Sequence, residues 1–133
     1  MFKNATTWTK QGDIGEAYAI FKYTQLGFTV SRTLFDSAPY DLLIDDGVDI
    51  FKVQVRTTTY KVYKNTYQAT LRVSGGNSSS NNVKKRIEGE YDLLFVLADN
   101  GDAWSIPAIE LPFSSVNLSD KYEKYKITDT ETP

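Results

Sequence analysis

Pro39-Tyr40-Asp41-Leu42-Leu43-Ile44-Asp45-Asp46-Gly47, followed after two residues by Ile50-Phe51-Lys52-Val53-Gln54-Val55-Arg56-Thr57-Thr58-Thr59, is the stretch whose reading decides the fold. Asp45-Asp46-Gly47 separates two β-rich runs, and an acidic residue followed by glycine supplies the positive φ angles of a tight turn. The stretch therefore predicts a β-hairpin. Side chains alternate along a strand, so Phe51, Val53 and Val55 share one face while Lys52, Gln54 and Arg56 share the other. A solvated strand carries the same alternation. What distinguishes this one is Asp41, an isolated carboxylate placed where the Pro-Tyr turn becomes the first strand.

Working back from the hairpin, residues 28–34 read as an edge-like strand and residues 9–26 as a helix. Ile14, Ala17, Tyr18 and Phe21 recur at helical spacing, and Gly27 stands where a left-handed C-terminal cap belongs. Glu16, Ile20 and Tyr23 form a neighbouring stripe, which sets the Glu16 carboxylate at the margin of the core. The bland reading of Glu16 is a surface glutamate beside a helix start, where the macrodipole favours it. Phe2 and Trp8 are the candidate packing anchors of the lead-in.

Working forward, residues 60–64 either continue the sheet or bend away, and Asn65-Thr66 is a turn candidate. Tyr67, Ala69, Leu71 and Val73 alternate with polar residues as in a half-buried strand. Residues 74–82 contain two Gly, four Ser and three Asn, a composition that cannot bury apolar surface and predicts a flexible loop. Lys84, Lys85 and Arg86 follow. They are candidate DNA-phosphate contacts, with a solvated cluster as the alternative. Residues 91–98 form an apolar run expected as a central strand covered on both faces. Asp99-Asn100-Gly101-Asp102 predicts a second hairpin turn returning through residues 103–106. Residues 108–111 suit one helical turn, residues 121–127 an edge strand, and residues 128–133 a frayed end.

A chain of 133 residues, 41% hydrophobic and 14% aromatic, suits one domain with a sizeable core, here residues 1–133. The longest apolar run is far too short to span a membrane, and the first residues lack the apolar segment of a secretory signal, so an intracellular protein is expected. Histidine and cysteine are both absent. That excludes Cys/His zinc sites, thiol nucleophiles and serine–histidine triads, and leaves carboxylates, amides, hydroxyls, Lys and Arg for any catalysis. Hard cations such as Mg²⁺ suit this inventory. A net charge of −2 gives no global attraction to nucleic acid. Should Glu16, Asp41, Gln54, Arg56 and the Val55 carbonyl converge, they would offer enough oxygen to hold Mg²⁺ with waters to spare, and a cation beside it to screen a phosphate.

Gly12-Asp-Ile-Gly-Glu16, Pro39-Tyr-Asp41 and Val53-Gln-Val-Arg-Thr-Thr58, in that order, resemble the PD-(D/E)XK nuclease superfamily, and most of all its branch of group I intron homing endonucleases. Residues 91–96, 100–107 and 121–127 are also similar to segments of that branch. The resemblance implies an α/β fold (α+β by some definitions) in which a mixed β-sheet is flanked by helices around a restriction-endonuclease-like core. It implies Asp41 as principal metal ligand, Glu16 as a helix-borne metal or water ligand, and Gln54 in the place of the second acid. The Val55 main-chain carbonyl completes the metal set. Arg56 occupies the place of the lysine, a departure, because a guanidinium holds phosphate well but does not give up its proton. Lys52, further back along the same face, is the substitute cation. The implied activity is Mg²⁺-dependent hydrolysis of a specific double-stranded DNA target, with Mn²⁺ as a replacement and a homodimer or homotetramer as the working form. The alternative is a module of the same fold that binds DNA or protein and cuts weakly or not at all.

Overall fold

The computed structural model describes residues 1–71, 73–74, 83–84 and 89–128. In chain order these form helix α1 (Trp8–Gln25), strands β1 (Thr29–Arg32), β2 (Leu42–Asp45), β3 (Ile50–Thr58), β4 (Lys61–Val62), β5 (Thr66–Thr70), β6 (Val73–Ser74), β7 (Val83–Lys84), β8 (Leu93–Ala98), β9 (Ala103–Pro107), β10 (Ser115–Asn117) and β11 (Lys126–Ile127). Short 3-10 turns at Tyr63–Asn65, Ala108–Glu110 and Asp120–Tyr125 connect some of them.

The hairpin is present. β2 and β3 pair antiparallel from Leu42 opposite Val53 to Asp45 opposite Ile50. Its turn is held by acidic side chains: Asp45 Oδ1 accepts the Gly47 N–H at 2.7 Å, and Asp46 Oδ1 accepts those of Val48 and Asp49 at 2.8 Å. Gly47 adopts φ +96°, as the turn reading requires. α1 begins on Thr7, whose hydroxyl accepts the Lys10 N–H at 3.0 Å, and ends on Gly27 at φ +100°.

Six strands make a mixed sheet in the order β1-β2-β3-β8-β9-β11, in which β3 and β8 run parallel and all other pairs antiparallel. One face carries α1 over Leu42, Ile44, Val53, Val55, Phe95 and Leu97. The other is packed with Leu94, Val96, Ala98, Trp104 and Ile106 against Tyr67, Ala69, Val116 and Leu118 from a three-stranded sheet, β10-β5-β4. β8 sends alternate side chains into both cores and is buried along nearly its whole length, as a doubly covered parallel neighbour should be. Thus the mixed sheet is flanked by α1 on one side and, among the described residues, by a small sheet and 3-10 turns on the other.

Three local expectations need correction. The buried face of α1 is Gln11, Gly15, Ala19, Lys22 and Tyr23, one stripe round from Ile14, Ala17, Tyr18 and Phe21; Ala17 and Phe21 face outward. Small residues let the helix lie close on the sheet: a Cβ on Gly15 would collide with Thr57 Cγ2. Phe2 is buried, but Trp8 is 81% exposed and anchors nothing. Residues 121–127 form a strand only at Lys126–Ile127. Before it, Asp120–Tyr125 winds into a 3-10 turn because Tyr122 is buried and its hydroxyl donates to the Glu110 carbonyl at 2.9 Å. The flexible loop expected at 74–82 falls outside the described residues except for the backbone of Ser74, and the frayed end except for Thr128.

Candidate active site

The β2–β3 ladder stops at Leu42 and Val53, while β3 runs on to Thr58. Asp41 sits at that fork. Its N–H donates to the Val53 carbonyl at 2.8 Å, as if the ladder continued, but its side chain then takes the next step: Asp41 Oδ2 accepts the Val55 N–H at 2.8 Å. A carboxylate thereby replaces a strand, and the Val55 carbonyl beside it is left outside any strand ladder. Two side chains approach that oxygen, Arg56 Nη1 at 3.3 Å and Gln54 Nε2 at 3.5 Å.

Across the fork lies the first half of α1. A cleft of about 320 Å³ runs between helix and strand, walled by Gly12, Asp13, Glu16, Asp41, Val55 and Arg56. Glu16 is half-buried and bound at 2.8 Å by the Nε of Arg32, which extends from edge strand β1. Burial pushes its carboxyl above the usual range; Arg32 pulls it down, while Asp41, Asp13 and Asp36 push it further up. Burial also raises the carboxyl of Asp41, against the Val55 N–H and the Arg56 guanidinium, which lower it, and with Asp36 adding to the rise. Burial is the main cause of both shifts, so the two ionised carboxylates are held at a desolvation cost that a bound cation would offset.

The structure brings Glu16, Asp41, Val55 and Arg56 to one cleft, with Gln54 touching its floor. Lys52 is not among the cleft's lining residues: its ammonium lies 5.8 Å from the centre of the Tyr40 ring. Lys84 is described only in its backbone, and Lys85 and Arg86 lie outside the described residues. Among the described residues no group of three or more Asp, Glu, His or Cys gathers to hold a metal. The donors that do gather are all oxygen, two carboxylates and a carbonyl, and they fit a hard cation that keeps several waters and takes further ligands from a phosphate.

A model of the PD-(D/E)XK endonucleases matches residues 6–128. The chain belongs to that family. The fold agrees with a solved structure described as a bacterial homing endonuclease, I-Ssp6803I, at TM-score 0.73 and 21% identity, over 94% of this chain and 82% of that one. A comparison with curated proteins returns no match. Three contributors escaped the sequence reading: Arg32, Asp36 and Asp13. Arg32 and Asp36 are brought in by the edge strand and the loop after it, so no local spacing announces them. Asp13 lies three residues before Glu16, one helical turn, and that spacing was the available signal.

Proposed function

We propose that the chain is a Mg²⁺-dependent endodeoxyribonuclease that cuts a specific double-stranded target, with Mn²⁺ able to replace Mg²⁺ and two or four copies acting together. The observation that carries this is the Asp41 carboxylate at the open end of the β2–β3 ladder, beside a Val55 carbonyl free of strand pairing and facing Glu16 across the cleft. Asp41 and the Val55 carbonyl would hold the cation, with Glu16 and a re-oriented Gln54 amide as further oxygen donors. Bound there, Mg²⁺ supplies charge neutralisation at the scissile phosphate and a more acidic water. A guanidinium is a forked donor and no base, so the role of Arg56 is to bind a phosphate oxygen rather than to accept the water's proton. Glu16, with its raised pKa, is the group placed to orient that water or take its proton. The homing-type target and the homo-oligomer are carried over from I-Ssp6803I's description and from the need for two sites to cut two strands.

One contact favours a second reading, a DNA-binding module that cuts weakly. Arg56 Nη1 lies 3.3 Å from the Val55 oxygen, so a fixed positive charge competes for the carbonyl the metal would use. Plasmid cleavage in Mg²⁺ and Mn²⁺ separates the two. The nuclease reading expects nicking or linearisation by the wild type and none by Asp41→Ala. Activity that emerges only in Arg56→Lys supports the second reading, and DNA left intact by both wild type and Arg56→Lys contradicts the nuclease assignment.

A further inference from the structure

The cleft does not end at Thr57. Two more hollows adjoin it along the start of α1, of about 370 and 560 Å³, sharing Trp8, Gln11 and Thr59 as common wall. The nearer one also shares Thr57 with the cleft. Both volumes lie in the range of sites that hold a nucleotide-sized group. Trp8 and Tyr60 both wall the nearer hollow and are 81% and 60% exposed. Isolated exposed aromatics are ordinary, but two of them on one groove that leads out of a phosphodiesterase cleft are not.

The floor between them is fixed. Gln11 is only 8% exposed and donates from Nε2 to Thr57 Oγ1 at 2.8 Å, and buried Thr58 donates to the Gln68 carbonyl at 2.6 Å. Among the described residues no charged side chain, acidic or basic, lines either hollow. An uncharged, hydroxyl- and amide-lined channel with exposed rings at its rim suits the bases rather than the phosphates of an unpaired nucleic-acid strand, since bases of any sequence stack on aromatics.

Resting on the nuclease reading above, we propose that this groove takes the unpaired strand next to the scissile phosphate, one base stacking on the Trp8 indole with Tyr60 at the opposite rim. One stacked base at the lower end of the usual range, about 1.4 kcal/mol, corresponds to a preference of about tenfold for a substrate whose strand is already unpaired. A duplex must first unstack that base.

Binding in Ca²⁺ of a blunt duplex, and of the same duplex carrying an oligothymidine overhang, tests this. The wild type is expected to bind the overhang probe about tenfold more tightly. Its tryptophan fluorescence should fall on binding, and the change reports Trp8 because Trp104 is only 4% exposed. Trp8→Ala should bring the ratio of affinities close to one, and Trp8→Phe should retain most of it. Thr7 still caps the helix in both variants, and a melting curve verifies that they fold. A wild-type ratio near one overturns the proposal, as does a ratio unchanged in Trp8→Ala or an equal loss for both probes. Plasmid cleavage accompanied by such a result overturns the groove alone. Failure of the wild type to bind either probe overturns the groove and the nuclease reading together.

Discussion

Asp41 is held where its own charge is costly. Burial raises its carboxyl pKa, so without a bound cation the ionised form opposes folding. For a carboxylate raised in the folded state, the favourable contribution is complete below the unfolded value of about 3.9 and is lost as pH rises through the folded value. The same sign holds for Glu16. Asp41→Asn keeps an oxygen for the Val55 N–H but removes the charge. The variant should therefore melt higher than the wild type at pH 7 in chelator, and the gap should close as pH falls below 4. Scanning calorimetry across that range checks it, and a lower melting temperature at pH 7 would mean that the Asp41 charge is already well compensated. Gain of stability with loss of function is the signature expected of a residue kept for chemistry.

At the level of elements, the site depends on how closely α1 lies on β3. Gly15 makes that approach, because a Cβ there meets Thr57 Cγ2, whereas a Cβ on Gly12 meets nothing within 4 Å. Helix propensity alone favours alanine at both by up to about 1 kcal/mol. At Gly12 that gain should appear in urea unfolding. At Gly15 overpacking of about 1–3 kcal/mol outweighs it, and Thr57→Ser, which removes the clashing methyl, should restore most of the loss in the double variant. The same glycine explains what was legible. Asp45-Asp46-Gly47, Gly27 and the apolar run through β8 state their structures locally, and turn, cap and central strand all formed where expected. The helix was legible, but its buried face was not, since Gly15 and Ala19 bury by being small and Gln11 by bonding Thr57 rather than by being apolar. In the site, Asp41 and the Val55 carbonyl follow from a motif contained in one hairpin, and Glu16 from its place on the preceding helix. The Arg32 ion pair depends on a β1–β2 register that no short spacing encodes.

For the molecule as a whole, the sheet explains why one small chain can carry both a site and a surface. β8 is covered on both faces and braces β3 along one edge, while the other edge of β3 at Val55 stays open beside the cleft. Among the described residues no helix is long and apolar enough to cross a membrane. The described residues form one such Asp41–Val55 fork, and cutting both strands of a duplex at once takes two. Light scattering at working concentration is accordingly expected to give the mass of a dimer or tetramer. A stable monomer that only nicks would remove the symmetric-cutting part of the proposal. Everything else rests on the cation site. Anomalous diffraction from crystals grown with Mn²⁺ should show one strong peak in contact with both an Asp41 carboxylate oxygen and the Val55 carbonyl, with Arg56 moved off that oxygen. A peak elsewhere, or an Asp41–Val55 fork that stays empty at saturating Mn²⁺ with Arg56 still in place, would contradict it.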